Sequence, residues 1–132
     1  MNKASIKLST RDYMTEAKMR NHFEVIDEPV TVGGDDNGAT PVEHLLSALG
    51  SCVAITLRMY SQRKGWDLGK ISVDITQKNV QTQNGVSQVF VEDISFEKEP
   101  TDEQKKRLKE IAGKCPVAKI IKGENLIESN II

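Results

Sequence analysis

The 132-residue chain lacks the features that mark several large classes of protein. Its two cysteines are too few for the disulfide framework of a small secreted domain. Lys and Arg total 18 against 19 Asp and Glu, and the net charge of −1 lacks the basic excess of a nucleic-acid binder. No apolar run reaches the roughly 18 residues of a membrane span, and residues 1–5 lack the apolar stretch of a secretory signal. We therefore expect a soluble, cytoplasmic protein with no nucleic-acid or membrane partner.

Common metal and phosphate motifs are also missing. The two histidines, His22 and His44, lie in different predicted elements, and no His-Glu-x-x-His or Cys-x-x-Cys pair occurs. The acidic stretch near Asp35 does not fit a calcium loop. With Gly38 as the central glycine, the first ligand position would fall on Gly33 and the last on His44. We therefore expect neither a metal ion nor a cofactor.

The residue pattern predicts an α+β chain with the element order ββ(β)αββααβ. Residues 5–9 alternate loosely, and 13–19 pair naturally with 22–26 across a tight turn at Arg20-Asn21. The glycine- and acid-rich stretch 33–38 then breaks regular structure. Asp27-Glu28-Pro29 is either a strand-ending turn or part of a site rim.

The second half of the chain predicts a hairpin, two helices and a last strand. Asn84-Gly85 is a strong hairpin-turn signal. The elements are strands from 71 and over 86–96, a helix capped by Thr101 and Gln104 and ended by Gly113, a short helix from Cys115-Pro116 to Gly123, and a strand over 126–131. Since no repeat or linker is visible, we expect residues 1–132 to form a single domain.

The segment 41–64 is predicted to be a helix that is apolar on nearly all sides. Thr40 is a good N-cap, Pro41 suits the first helical position, and Glu43 completes a capping box. Apolar residues surround the helix up to about Leu57, so it belongs at the centre of a fold. A chain of this size has too few strands to cover both sides. We therefore expect an obligate homodimer with these helices near its centre.

The two cysteines are the remaining candidates for chemistry. An unpaired cysteine is ordinarily a small buried hydrophobe. Cys115, however, precedes Pro116 at a predicted N-cap, where free N–H groups and the helix dipole favour a thiolate. Cys52 lies mid-helix beside Gly50 and Ser51, small residues that leave room for a ligand or another backbone.

Two segments resemble the signature of the OsmC/Ohr family, the osmotically inducible and organic hydroperoxide resistance proteins. The first is Thr-Pro-Val-Glu-His-Leu-Leu-Ser-Ala-Leu-Gly-Ser-Cys over 40–52, and the second is Lys-Cys-Pro-Val over 114–117. The two cysteine motifs occur in the family's order and at a similar separation. The resemblance covers essentially the whole chain and points to the OsmC-like branch.

The resemblance implies a fold and an activity. Members of the family are intertwined homodimers in which curved antiparallel sheets wrap around central helices, with the active site at the dimer interface. Their thiols reduce hydroperoxides, preferentially organic ones, in defence against oxidative stress. Carried over, Cys52 is the peroxidatic thiolate that becomes a sulfenic acid. Cys115 resolves it to a disulfide, which an external dithiol reduces.

The resemblance also implies an activating arginine for Cys52, held by a glutamate at the start of the cysteine helix. Glu43 occupies the glutamate position, nine residues before Cys52, where the best-known hydroperoxide resistance members have ten. Arg20 at the hairpin turn is the first choice for the arginine, followed by Arg11 and Arg58.

Several alternatives stay open at the level of sequence. Glu43 also fits a plain capping role, and Arg20 a solvated surface charge. Helix-terminus electrostatics make Cys115 the better activated thiol, whereas the family assigns first attack to the position of Cys52, and we adopt the family's order. The chain could instead be a non-enzymatic dimer that binds a small apolar ligand near Cys52, or both thiols could be purely structural.

Overall fold

The computed structural model of the chain describes residues 1–10 and 12–132. Helices and antiparallel sheets both occur, which confirms the α+β class. The chain divides into two compact units, residues 1–45 and 46–132. Arg11, the second choice for an activating arginine, lies outside the described residues.

The first unit contains an antiparallel sheet of three short strands in the order β1-β2-β3. The strands are β1 (Ser5–Leu8), β2 (Thr15–Met19) and β3 (His22–Ile26). Met19 pairs with His22, so Arg20 and Asn21 form the turn, as predicted. Arg20 adopts φ +58°, a left-handed conformation at the tip of the hairpin.

A loop built around one carboxylate follows β3. Asp27 is 0% exposed. Its Oδ1 accepts the N–H of Glu28 at 2.7 Å, and its Oδ2 accepts the N–H of Asn37 at 3.1 Å. The stretch predicted to be irregular contains one short 3₁₀ helix, Val30–Val32. Asp27 therefore holds the two ends of the loop together, and the strand-ending turn is the interpretation that the geometry supports.

Helix α1 (Pro41–Lys64) is continuous and begins where its capping signals predict. The Glu43 N–H donates to Thr40 Oγ1 at 3.1 Å, and the Thr40 N–H donates to Glu43 Oε1 at 2.9 Å. The helix passes through Gly50 without a break. A Cβ at Gly50 would lie 3.1 Å from Cγ1 of Ile75, so the glycine allows the neighbouring strand to approach α1 closely. Helix α1 is long and apolar enough to cross a membrane, by length and composition alone. The core helix of a soluble protein also meets these two criteria.

The second unit contains a long antiparallel hairpin formed by β4 (Ile71–Thr82) and β5 (Gly85–Phe96). Its turn residues are Gln83 and Asn84, so the predicted turn at Asn84-Gly85 is wrong by one residue. Gly85 already pairs with Thr82 and adopts φ +114°. Gly85 is needed because the first residue of the returning strand has a positive φ. This residue lies just after the turn, whereas the prediction placed it within the turn.

The hairpin contacts the core only near its base. Ile71, Val73 and Ile75 on β4 pack against the core together with Phe90, Ile94 and Phe96 on β5. Beyond them, every residue over 76–84 is exposed, and so are residues 86–88. Within this unit, the far half of the hairpin therefore has no covered face.

Helices α2 (Asp102–Ala112) and α3 (Pro116–Lys122) confirm the predicted helices. Thr101 and Gln104 form the expected capping box on α2, and Cys115 is the N-cap of α3. The predicted last strand over 126–131 is wrong, because residues 124–132 adopt no regular secondary structure and their large apolar side chains are exposed. A strand needs an adjacent edge to pair with, and alternation along the sequence does not supply one.

The core of the second unit lies between α1, the hairpin base, α2 and α3. Its buried residues are Leu49, Val53, Leu57, Tyr60, Leu68, Leu108, Ile111, Ala112, Cys115 and Ala118. Tyr60 and Trp66 close one end with an edge-to-face contact, their ring centroids 5.6 Å apart.

Candidate active site

The two sulfur atoms meet at the first turn of α3. Cys115 caps this helix, and its Sγ accepts the N–H of Ala118 at 3.3 Å. Cys52 projects from α1, and its Sγ accepts the N–H of Val117 at 3.5 Å. Both cysteines are free thiols. Residues 63 positions apart in the sequence thus share one short stretch of backbone donors.

The thiols differ in exposure, and this difference reverses the electrostatic expectation from the sequence. Cys115 is 0% exposed, whereas Cys52 is partly exposed. Burial raises the pKa of the Cys115 thiol, and the neighbouring Cys52 side chain and the Glu92 carboxylate raise it further. The hydrogen bond from Ala118 acts in the opposite direction and does not prevail. The prediction that the helix terminus activates the Cys115 thiol is therefore wrong, because it took no account of burial.

Local sequence explains how the cysteines come together. Pro116 lacks an N–H and suits the first position of α3, so the next free donors are those of Val117 and Ala118. On α1, Leu49 and Val53 are buried on either side of Cys52, which brings Cys52 to the edge of the helix's core face. The packing of α1 therefore sets the position of its sulfur.

Glu92 is a residue of the site that sequence reasoning missed. It lies on β5 between Phe90 and Ile94, both of which pack against the core. Burial raises the pKa of its carboxyl, and the charge of Lys122 partly opposes that shift. The signal was present in the sequence, since a glutamate interrupts apolar residues of period two on one face of the strand.

A small cavity lies beside these groups. Its volume is about 160 Å³, and its walls are formed by Leu49, Phe90, Glu92, Gly113, Ala118, Ile121 and Lys122. Gly113 and Ala118 lie on either side of Cys115 in the sequence. The cavity therefore brings a carboxyl group and an ammonium group close to the end of α3 that carries Cys115.

The other predicted site residues are described each within its own unit. Glu43 belongs to the first unit, where the Thr40 N–H is the main cause of its lowered pKa. Arg20 also belongs to the first unit, exposed at its turn. Arg58 extends from α1, and its Nη2 donates to the carbonyl oxygen of Gly69 at 2.6 Å. The cysteines are thus the only members of the predicted set that the second unit, as described, places in contact.

Within the described residues, 1–10 and 12–132, no three His, Cys, Asp or Glu side chains lie close enough together to hold a metal ion. The chemistry that the described groups can perform is that of two adjacent thiols, a carboxyl and an amine.

Solved structures of known proteins share the fold. A Psychrobacter arcticus protein, described as an osmotic stress induced and detoxification response protein, superposes with a TM-score of 0.76 at 22% identity, covering 91% of this chain and 88% of that chain. An organic hydroperoxide resistance protein from Elizabethkingia anophelis gives 0.71 at 20% identity, over 93% and 89%. The organic hydroperoxide resistance protein OhrB of Bacillus subtilis gives 0.65 at 13% identity, over 93% and 91%.

Sequence comparison extends the likeness from fold to family. Among curated proteins no sequence matches this chain. The family model for OsmC-like proteins matches residues 33–130, which is most of the chain and includes both cysteine motifs. The chain therefore belongs to the OsmC-like protein family.

Proposed function

We propose that the protein is a cytoplasmic thiol peroxidase that reduces organic hydroperoxides in defence against oxidative stress. The observation that carries the proposal is the meeting of the Cys52 and Cys115 sulfur atoms at the first turn of α3, one partly exposed and the other buried. Such a pair suits one thiol that meets the substrate and a second that resolves the product. The names of the Elizabethkingia anophelis and Bacillus subtilis neighbours give the substrate class.

Cys52 acts first in this proposal because it is the more exposed thiol. The Val117 N–H donates to its sulfur and holds it at the first turn of α3. The thiolate attacks one peroxide oxygen, the O–O bond breaks, and the alcohol leaves after taking up a proton. Cys52 is then a sulfenic acid. Attack by Cys115 forms the disulfide and releases water, and an external dithiol restores both thiols.

The apolar surface left open on α1 supports a homodimer. Ile55 is 54% exposed and Met59 is 65% exposed. Together with Ala54, Arg58, Gln62 and Ile71 they line a hollow of about 410 Å³. Large apolar groups that share one hollow are typical of a surface that another molecule covers. In this proposal a second copy of the chain covers it, and the chain forms one OsmC-like domain of an intertwined dimer.

The resemblance supplies the rest of the proposed site. Arg20, held by Glu43, would stabilise the Cys52 thiolate from the same chain or from the partner. In the described chain Glu43 Oε1 accepts the Thr40 N–H. Holding Arg20 would therefore be a second task for a carboxylate that already caps α1.

The proposal is tested by rapid quenching of the reduced protein with one equivalent of an organic hydroperoxide, followed by intact-mass analysis. We expect a loss of two hydrogens within seconds, mapping to Cys52 and Cys115 and reversed by a dithiol. Cys52→Ser should abolish peroxide consumption, and Cys115→Ser should accumulate a trappable sulfenic acid. Ser51→Ala is the matched control, an exposed neighbour on α1 that should behave as the wild type does.

One result would contradict the proposal. In that result the wild type consumes no hydroperoxide and keeps its mass, and the wild type and Cys52→Ser bind a small apolar ligand with equal affinity. The chain would then be a binding protein on this fold. Slow alkylation of both thiols in the native protein would instead indicate a structural role for each.

A further inference from the structure

Glu92 occupies a position that packing alone does not explain. The side chains of Phe90, Ile94 and Phe96 pack against the core from β5, and Glu92 shares their face. Its partner across the hairpin is Ile75. Its Oε2 is buried and has no hydrogen-bond partner among the described residues. A buried oxygen without a partner lowers stability, so the position points to a chemical role.

The cavity places this carboxyl beside residues that flank Cys115 in the sequence. Glu92, Gly113 and Ala118 all line it, and the last two lie two residues before and three residues after Cys115. Its volume of about 160 Å³ has room for several water molecules, each of which takes about 30 Å³ in the liquid. The charge of Glu92 also acts on the Cys115 thiol, raising its pKa. The Glu92 carboxyl and the first turn of α3 thus border one space that water can occupy.

Cys115 needs a proton acceptor in order to attack oxidised Cys52. The thiolate, not the thiol, attacks sulfur. Burial keeps the pKa of the Cys115 thiol above its ordinary value, so the thiol retains its proton at neutral pH. A group that accepts this proton during attack removes that obstacle.

We propose that Glu92 accepts the proton of Cys115, through water in the cavity, as Cys115 attacks oxidised Cys52. This inference rests on the proposed function. The Cys115–Cys52 sulfur bond forms while the S–O bond of the sulfenic acid breaks, and hydroxide leaves with its electron pair. Glu92 returns the thiol proton to the hydroxide, which departs as water. Cys115 is oxidised, the sulfenic sulfur is reduced, and no net proton is gained or lost.

Lysines from α2 and α3 line cavities that Glu92 also lines. Lys122 of α3 shares the cavity, lowers the pKa of Glu92 and donates to the Gly113 carbonyl oxygen at 2.9 Å. Lys105 and Lys109 of α2 line a second cavity with Glu92, and Lys105 pairs with Glu99. On α1 the titratable side chain beside Cys115 is Cys52. The net result is a raised pKa for Glu92, set mainly by burial, which suits a group that must both accept and return a proton.

The test compares disulfide formation in the wild type and in Glu92→Gln. The protein is mixed with an organic hydroperoxide, a sulfenic-acid trap is added at intervals, and the disulfide is counted by mass. We expect the sulfenic acid to persist at least about tenfold longer in Glu92→Gln at pH 7, in keeping with the usual size of general-base effects. The rise of the wild-type rate with pH through the ionisation of Glu92 should disappear, and Glu92→Asp should restore part of the rate.

A purely electrostatic role of Glu92 predicts a faster disulfide step in Glu92→Gln, not a slower one. The negative charge of Glu92 raises the pKa of Cys115, so removing it would make Cys115 a thiolate more readily and speed the disulfide step. An unchanged or faster step in Glu92→Gln therefore overturns the proposal. Asp93→Asn is the matched control, because it removes the same charge from an exposed position one residue along β5.

A second oxidant separates this inference from the proposed function. The azo oxidant diamide adds to Cys52, and attack by Cys115 then breaks the S–N bond and releases the reduced hydrazine without any peroxide. If hydroperoxides fail to oxidise the wild type but Glu92→Gln slows the diamide reaction, the peroxidase proposal fails and the role of Glu92 stands. If the diamide reaction runs at the wild-type rate in Glu92→Gln, the role of Glu92 fails. No Cys52–Cys115 disulfide with either oxidant overturns both.

Discussion

At the scale of single residues, two carboxyl groups show how neighbours decide what an acid does. Asp27 and Glu92 are both drawn into the protein, yet their pKa values move in opposite directions. Backbone N–H groups from Asn37 and Glu28 surround Asp27 and lower its pKa. Among the described residues Glu92 has no such donor at Oε2, and burial raises its pKa. The first carboxyl is a structural brace, and the second is available to exchange a proton.

The brace at Asp27 gives a prediction about pH. Because its pKa is lowered in the folded chain, its stabilising effect is present above the unfolded value, about 3.9. The effect is lost as the pH falls through the lower folded value. Asp27→Asn should melt at a lower temperature than the wild type at pH 7, since an amide cannot accept both N–H groups. The difference in melting temperature between the two proteins should disappear in strong acid.

Thermal melts between pH 2 and pH 7 measure this effect. Asp36→Asn is the control, since Asp36 is exposed and asparagine tolerates its φ of +54°. Equal melting temperatures for Asp27→Asn and Asp36→Asn at pH 7 would show that the loop does not depend on the carboxylate.

At the scale of elements, the sequence predicted what local chemistry determines. Capping boxes at Thr40 and Thr101 placed the starts of α1 and α2, because the signal and the hydrogen bonds that it predicts lie within three residues. The last strand was wrong, since pairing depends on an edge that the local pattern does not specify. Glu92 was missed for a related reason. Its meaning depends on Cys115, which is distant in sequence and near in space.

The role of Gly50 in α1 also depends on a residue that is distant in sequence and near in space. It gives a prediction about stability. A glycine in a helix costs about 1 kcal/mol relative to alanine, but here it lets Ile75 approach within 3.1 Å of where a Cβ would lie. Gly50→Val should lower the free energy of unfolding by about 1–3 kcal/mol through overpacking. Denaturant titration measures it, with Ser51→Val as the exposed control, expected within about 0.5 kcal/mol of the wild type. A neutral or stabilising Gly50→Val would refute the close-packing explanation.

At the scale of the whole molecule, the open face of α1 gives a prediction about assembly. If a second copy covers Ile55 and Met59, a charge placed there must be buried without a partner, which association does not tolerate. Ile55→Glu combined with Met59→Glu should convert the dimer to a monomer at micromolar concentration, as measured by sedimentation. Lys106→Glu puts the same acidic side chain on an exposed part of α2 and should leave the dimer intact. A wild-type protein that sediments as a monomer would remove the basis of the proposed assembly.

The uncovered half of the hairpin has a consequence for motion. Two strands paired only with each other are marginal in water, so the part of β4 and β5 beyond Ile75 and Phe90 has little to restrain it once local pairing opens. Amide hydrogens there should exchange in small openings near the turn, and those near Ile71 and Phe96 only when the whole unit unfolds. Exchange measured by mass spectrometry should therefore show a steady gradient from tip to base. A sharp step in that gradient would instead mark the point where a neighbouring molecule contacts the hairpin. The exchange profile therefore also locates such a contact along the two strands.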